Sequence, residues 1–144
     1  MFVLSAFMSL SNKDIFVPEP HHFEGYTLFK RKDGIVQIHF KEGFAITLED
    51  AKHIVNVIET IKGEDEKCLF LVVFEEDNTF SLETREYISS DAVSRVIKAD
   101  AFVIKGLALE ILGQGYLKIN KPSRPTRLFK SAAVGAMWLL NHVG

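Results

Sequence analysis

Pro125-Thr126-Arg127-Leu128-Phe129-Lys130-Ser131, running into Ala132-Ala133-Val134-Gly135-Ala136-Met137-Trp138-Leu139-Leu140, decides the fold. The first seven residues read as a short strand closed by a serine. A serine there can cap a helix, because its oxygen accepts from a backbone N–H that the first turn leaves free. The rest reads as an amphipathic helix. Trp138, with Ala133, Val134 and Met137, is expected to be its core face, since a docking helix needs an apolar stripe and Trp buries a large area. A chain that closes on a packed strand and helix points to the α/β class.

Working back from this unit, residues 122–125 form a Pro-bounded loop. Before it lies a helical stretch with Leu107, Leu109, Ile111 and Leu112, which Gly113 and Gly115 are expected to weaken or end. Residues 101–104 read as a short buried strand. Residues 69–74 are six apolar residues without alternation, as in a central strand covered on both faces. Between them, Ser81 reads as the N-cap of a short helix, and Ser90 as the cap of a second carrying Val93, Val96 and Ile97.

Nearer the N-terminus, residues 26–32 and 35–41 flank Asp33-Gly34. Asp-Gly between two β-type runs predicts a hairpin with a two-residue type I′ turn. Val36, Ile38 and Phe40 face one side, and Gln37 and His39 a wetter one. Thr47 then opens the best-specified helix: Glu49 and Asp50 suit the positive end of its dipole, Gly63 closes it, and Ala51, Ile54, Val55, Ile58 and Ile61 form the buried stripe. Strands alternating with helices argue for an α/β sheet with an antiparallel edge.

The chain has 144 residues, 25% of them charged, and a net charge of −2. That fits one domain, residues 23–144, after a poorly specified N-terminal tail, residues 1–22. With no basic excess, nothing draws the chain to nucleic acid. Residues 1–10 are apolar, but no Lys or Arg precedes them and the run is too short to span a bilayer. Met8 is an alternative start to Met1, and the cytoplasm is the expected compartment. The lone Cys68 leads into an apolar run and reads as a buried, inert thiol.

Asp33-Gly34, Thr47-Leu48-Glu49-Asp50-Ala51, Ala99-x-Ala101, Asn120-x-Pro122, and Arg127-Leu128-Phe129 with Ala136-x-Trp138-Leu139 together resemble an uncharacterised bacterial family. That family is similar to the STAS superfamily, the SpoIIAA-like fold of anti-sigma-factor antagonists and sulfate-transporter tails. The resemblance spans roughly residues 26–140. It implies a single sheet of four to five strands, with an N-terminal β-hairpin and packed helices, and a regulatory role rather than catalysis. In the antagonists a serine after a central strand, at a helix start, is phosphorylated by a partner kinase. Ser81 is the nearest positional match, with Thr79 beside it. The Asp-Ser and Ser-Gly-Leu surroundings of that phosphosite are absent here, and Phe80 and Leu82 flank Ser81 instead.

Other chemistry is sparse. Glu75, Glu76 and Asp77 follow the central strand at the edge where open α/β sheets bind ligands, and Lys105 ends the next strand. A Mg²⁺ site would use such acids, but a solvated loop is the simpler reading, and a phospho-receiver would need its acid pair after the first strand. The five histidines, His21, His22, His39, His53 and His142, read as surface residues outside metal-ligand spacing. Neither a nucleophilic triad nor G-x-G-x-x-G is present. Lys118, Lys121, Arg124, Arg127 and Lys130, with Asn120, form a basic loop. Lys105, Asn120, Arg124 and Arg127 are its candidates for an anion or partner contact.

The expectation is thus a non-enzymatic regulatory or protein-interaction module without a cofactor. A protein partner is expected, and a homodimer is allowed. The alternative is a binder of a small apolar or anionic ligand between helices near residues 105–127, which calls for a pocket of roughly several hundred Å³. An acid-loop Mg²⁺ enzyme, in which Glu75 or Asp77 would converge with Lys105, is the third reading.

Overall fold

Residues 20–63 and 66–143 are described by the computed structural model. Their elements are β1 (His21–His22), β2 (Tyr26–Lys30), β3 (Val36–Phe40), β4 (Ala45–Ile46), α1 (Leu48–Lys62), β5 (Cys68–Val73), β6 (Thr79–Phe80), α2 (Leu82–Ile88), α3 (Asp91–Ser94), β7 (Ile97–Val103), α4 (Leu107–Gly115), β8 (Thr126–Phe129) and α5 (Ala132–Trp138). π-Helical turns extend α4 through Tyr116–Asn120 and α5 through Leu139–Val143. Most of the expected tail, and the alternative start at Met8, lie outside the described residues. The sheet already begins at His21, inside the span assigned to that tail.

The main sheet has the order β1-β2-β3-β5-β7-β8. The β1, β2 and β3 pairs are antiparallel, and β3, β5, β7 and β8 run parallel. Five of its strands have four or more residues, and the two-residue β1 is added at one edge. β4 and β6 form a small parallel pair of their own. Leu69, Leu71 and Val73 alternate with Phe70 and Val72 between the two sides of the sheet, so β5 is central and covered on both.

The hairpin stands where Asp33-Gly34 marks it, but the turn is of another kind. Arg31 N–H donates to Ile35 O at 2.8 Å and Gly34 N–H to Arg31 O at 3.0 Å, leaving residues 32–34 as a three-residue loop. Only Gly34 has a positive φ, of 93°, and Asp33 instead accepts from Ile35 N–H at 3.1 Å. A normal turn followed by one left-handed residue satisfies strand twist as a type I′ turn does.

α1 forms as expected, and more tightly. Thr47 accepts from Asp50 N–H while Asp50 accepts from Thr47 N–H, a reciprocal capping box. α3 is shorter than expected: it stops at Ser94, and Val96 and Ile97 carry the chain into β7. β7 starts four residues before the predicted strand, at Ile97 rather than Ala101. α4 passes through both glycines. A Cβ on Gly113 would sit 3.1 Å from the Leu128 side chain, so this glycine serves close packing inside the helix rather than ending it.

Because β3, β5, β7 and β8 succeed one another in one direction, their connecting helices gather on one face. Ile54, Ile58, Val93, Leu109 and Tyr116 join Ile38, Phe70 and Phe102 there. On the other face α5 packs Ala136 and Leu139 against Leu71, Ala99 and Ala101. The expected core face of α5 is corrected. Val134 and Met137 are 52% and 59% exposed, Ala133 is exposed, and Trp138 is half-buried against Phe129. Gly135 rests on Leu71 and Ala101, so the helix docks through its small residues and Leu139.

Candidate functional site

The C-terminal ends of β3, β5 and β7 bring charged groups together. Glu75, after β5, accepts from Lys105 Nζ at 2.9 Å, and His39 Nε2 lies 2.8 Å from its other oxygen. Hydrogen bonds from Lys105 first and His39 second hold the Glu75 carboxyl below its usual range, and the bond to Glu75 raises the Lys105 ammonium. Both groups move away from neutrality. A general acid or base works best with its pKa near the working pH, so this cluster is shaped as an ion pair.

The acidic loop is ordered by a residue that sequence reasoning passed over. Asn78 is buried, donates to the Lys41 and Phe44 carbonyls at 2.7 and 3.2 Å, and accepts from Glu75 N–H at 2.7 Å. This clasp aims Glu75 at Lys105 while Asp77 takes a left-handed φ of 64° at the turn. So Glu75 converges with Lys105, whereas Glu76 and Asp77 are exposed. Among the described residues no three His, Cys, Asp or Glu side chains group as a metal site. Beside Glu75 lies an open depression of about 490 Å³, bordered by Phe29, His39, Lys41 and Glu42. Among the described strands the order never reverses, so the crevice that a reversal opens in doubly wound sheets is missing here.

The basic loop divides. Arg124 leaves the surface: it is 7% exposed, and its guanidinium donates to Asp100 at 3.0 and 2.8 Å, to Ser94 Oγ at 3.0 Å and to the Ile88 carbonyl at 2.7 Å. A buried arginine with every arm committed to its own chain cannot also receive an anion, which corrects its place among the contact candidates. Burial pushes the Asp100 carboxyl above its ordinary value, against the pull of Arg124 and Thr126. Asp100 escaped notice because it precedes the predicted strand. An acid framed by Ala99 and Ala101 was the available signal. Lys105 is bound to Glu75, Asn120 is half-buried at the end of the π-helical turn, and Arg127 is exposed over the Phe129 ring at 5.4 Å. The set therefore forms no single anion cradle.

Ser81 caps α2, accepting from Thr84 N–H at 3.2 Å, and its side chain is exposed. Thr79, also exposed, sits in β6. Ser90 occupies the N-cap of α3, yet makes no side-chain cap bond. His53 is exposed on α1 and shares a 2.8 Å hydrogen bond with Tyr26. A cavity of about 60 Å³ lies in the core between the sheet and α1–α3, lined by apolar side chains together with Asp100 and Arg124. Ligand pockets run to roughly 300–1,000 Å³. Of residues 105–127, where a pocket between helices was anticipated, Arg124 alone lines this cavity.

A sheet with an antiparallel hairpin edge and four parallel strands, helices layered on one face and a closing helix on the other, places the chain in the SpoIIAA-like class of α/β proteins, as the sequence resemblance implied. It matches an uncharacterised protein of the DUF3478 family with a SpoIIAA-like fold, from Shewanella loihica PV-4, with a TM-score of 0.54 at 14% identity, over 85% of this chain and 99% of that one. Such identity speaks for the fold alone. The chain itself belongs to the family described as domain of unknown function DUF7793, whose model matches residues 29–143. No curated protein matches it. Among the described residues no helix is long and apolar enough to cross a membrane.

Proposed function

We propose that this chain is a non-enzymatic regulatory module that works by binding another protein. One observation carries the reading: large apolar side chains stand in solvent on α4, α5 and their extensions. Leu107, Ile111 and Ile119 are 72%, 64% and 76% exposed, and α5 adds Val134 and Met137. Residues 131–141 include no charged side chain. Apolar exposure and charge depletion together mark surfaces that partners cover. The shifts of Glu75 and Lys105 away from neutrality support a non-catalytic role. The core cavity of about 60 Å³ is too small for the alternative, a small apolar or anionic ligand, and the larger depression beside Glu75 lies at the strand ends rather than between helices. We place the module in the cytoplasm with a protein partner, and a homodimer is compatible with it.

Photo-crosslinking in the native host tests this. A crosslinker at Ile111 or Met137 should give one discrete protein adduct. The purified adduct protein should then bind the full chain, at least tenfold more weakly after Leu107→Asp/Ile111→Asp. Adducts no more discrete than those from exposed Glu59 on α1 would overturn the reading.

A further inference from the structure

We propose that the open edge of β8 accepts an extended acidic segment of a partner protein as an added strand. This rests on the reading as an interaction module, and it names the surface and the partner's chemistry.

Among the described residues β8 is the last strand of the sheet, paired with β7 alone. Asp100 N–H donates to the Pro125 carbonyl at 3.1 Å, and Ile104 N–H to the Phe129 carbonyl at 2.8 Å. Backbone groups alternate in direction along a parallel strand, so those of residues 125, 127 and 129 turn toward β7. The N–H and C=O groups of Thr126 and Leu128 therefore face the open side. They form a short template for strand addition, in which main-chain bonds supply affinity and alternate side chains supply specificity.

Both flanks of this edge are apolar. α4 lies over Leu128 through Gly113 on one face, and α5 meets Phe129 through Gly135 and Trp138 on the other. These two helices and their extensions carry the exposed Leu107, Ile111, Ile119, Val134, Met137 and Leu140. The edge itself is basic. Arg127 and Lys130 are exposed, as are Lys118 and Lys121 in the connection leading to β8, and none makes an ion pair among the described residues. Lys and Arg on an edge deter indiscriminate strand pairing. The same charges admit a strand that carries carboxylates.

Charge and backbone together select the occupant. A second copy would set Arg127 and Lys130 against like charges. An anionic membrane would satisfy the cations but leave the open N–H and C=O groups without partners in hydrocarbon. An acidic strand satisfies both. Arg127 shares the face of Phe129 and α5, while Leu128 shares the face of α4. The added strand would therefore alternate beside β8, with a carboxylate toward Arg127 on the α5 side and an apolar side chain toward Leu128 on the α4 side.

A random-sequence peptide display library, selected against the full chain, provides the probe. Enriched peptides should alternate acidic and apolar residues. They should slow amide exchange at Thr126 and Leu128, and should bind at least tenfold more weakly to Arg127→Glu/Lys130→Glu, which alters exposed side chains only. Failure to enrich such peptides, protection elsewhere, or indifference to the charge reversal would overturn the proposal. So would charge-dependent co-sedimentation with phosphatidylglycerol vesicles, or a dimer in light scattering that this variant strengthens or dissolves. A protein crosslinked at Ile111 or Met137 that binds Arg127→Glu/Lys130→Glu normally would remove the edge and leave the interaction module standing.

Discussion

Arg124 and Asp100 face each other inside the protein, joined by two hydrogen bonds to a single Asp100 oxygen at 3.0 and 2.8 Å, with their side chains 3% and 2% exposed. The remaining guanidinium bonds reach Ser94 and the Ile88 carbonyl, so one residue ties β7 to α2, α3 and the loop before β8. Removing one partner of a buried pair leaves an uncompensated charge and costs about 3–5 kcal/mol, whereas replacing both by apolar groups is often neutral. Arg124→Met should lower unfolding free energy by about that amount, and Asp100→Leu/Arg124→Met should recover most of it. Urea denaturation of the three proteins reads both. Asp100 is raised in the folded state, so its contribution favours folding below the unfolded value and is lost as pH rises through the folded one. The Arg124→Met deficit should therefore shrink on acidification toward pH 4.

Glu75 offers the opposite sign. Lys105 and His39 depress its folded pKa, so its contribution is present above the ordinary value of 4.5 and is lost as pH falls through the folded value. Glu75→Gln should reduce Tm slightly at pH 7, and the two proteins should converge under acid. The pair is exposed enough that added salt should also narrow the gap. A difference that persists at low pH and high salt would mean that the Glu75 side chain acts through packing or neutral hydrogen bonds rather than through its charge.

Local chemistry made most of the fold legible. Thr47, Gly63 and the spacing of Ala51, Ile54 and Ile58 set α1 without reference to the rest of the chain, and six unbroken apolar residues marked β5 as central. What failed depended on distant partners. Val96 and Ile97 have helical spacing from Val93, yet β5 recruits Ile97 into the sheet. Gly113 looks like a helix breaker until Leu128 is placed against it. Arg124 reads as surface because its counter-charge lies 24 residues away on a strand whose start carries no local signal. Along α5, Gly135 and Ala136 turn inward because the sheet beneath offers space only for small groups, leaving Val134 and Met137 outside. The Glu75–Lys105 convergence was visible as strand ends in register, but His39 joins them only through the pairing of β3 with β5.

Cys68 should be silent toward thiol reagents. Burial is the main force pushing its thiol up to about 12, so at neutral pH almost no thiolate forms. The native chain should react with an aromatic disulfide reagent only at its global unfolding rate, and at once in denaturant. Rapid native labelling would show that β5 opens locally.

Tyr116 is fully buried, and its hydroxyl makes no well-formed hydrogen bond among the described residues, with the Arg124 guanidinium as its polar neighbour. Its ring stacks on Phe102 with centroids 5.6 Å apart, so the aromatic body does the packing. A buried unpaired hydroxyl costs about 1–3 kcal/mol. Tyr116→Phe keeps the ring and removes that cost, so it should leave stability unchanged or raise it. A clear loss in thermal unfolding would reveal a hydrogen bond to the hydroxyl, from Arg124 or an ordered water.

Ser81 carries the last expectation, because capping and phosphorylation ask different things of one oxygen. As the cap of α2 it accepts from Thr84 N–H, and its loss should cost about 0.5–2 kcal/mol in Ser81→Ala. Ser81→Asp keeps an acceptor at the helix start and adds a charge that the dipole favours, so it should be nearly as stable as the unaltered chain. If Ser81 or Thr79 is also a regulatory phosphosite, mass spectrometry of protein from its native cells should find phosphate there. Ser81→Asp should then change binding of the crosslinked partner while leaving Tm alone. Persistent absence of phosphate, with equal partner binding by Ser81→Asp and Ser81→Ala, would leave Ser81 as a helix cap and nothing more.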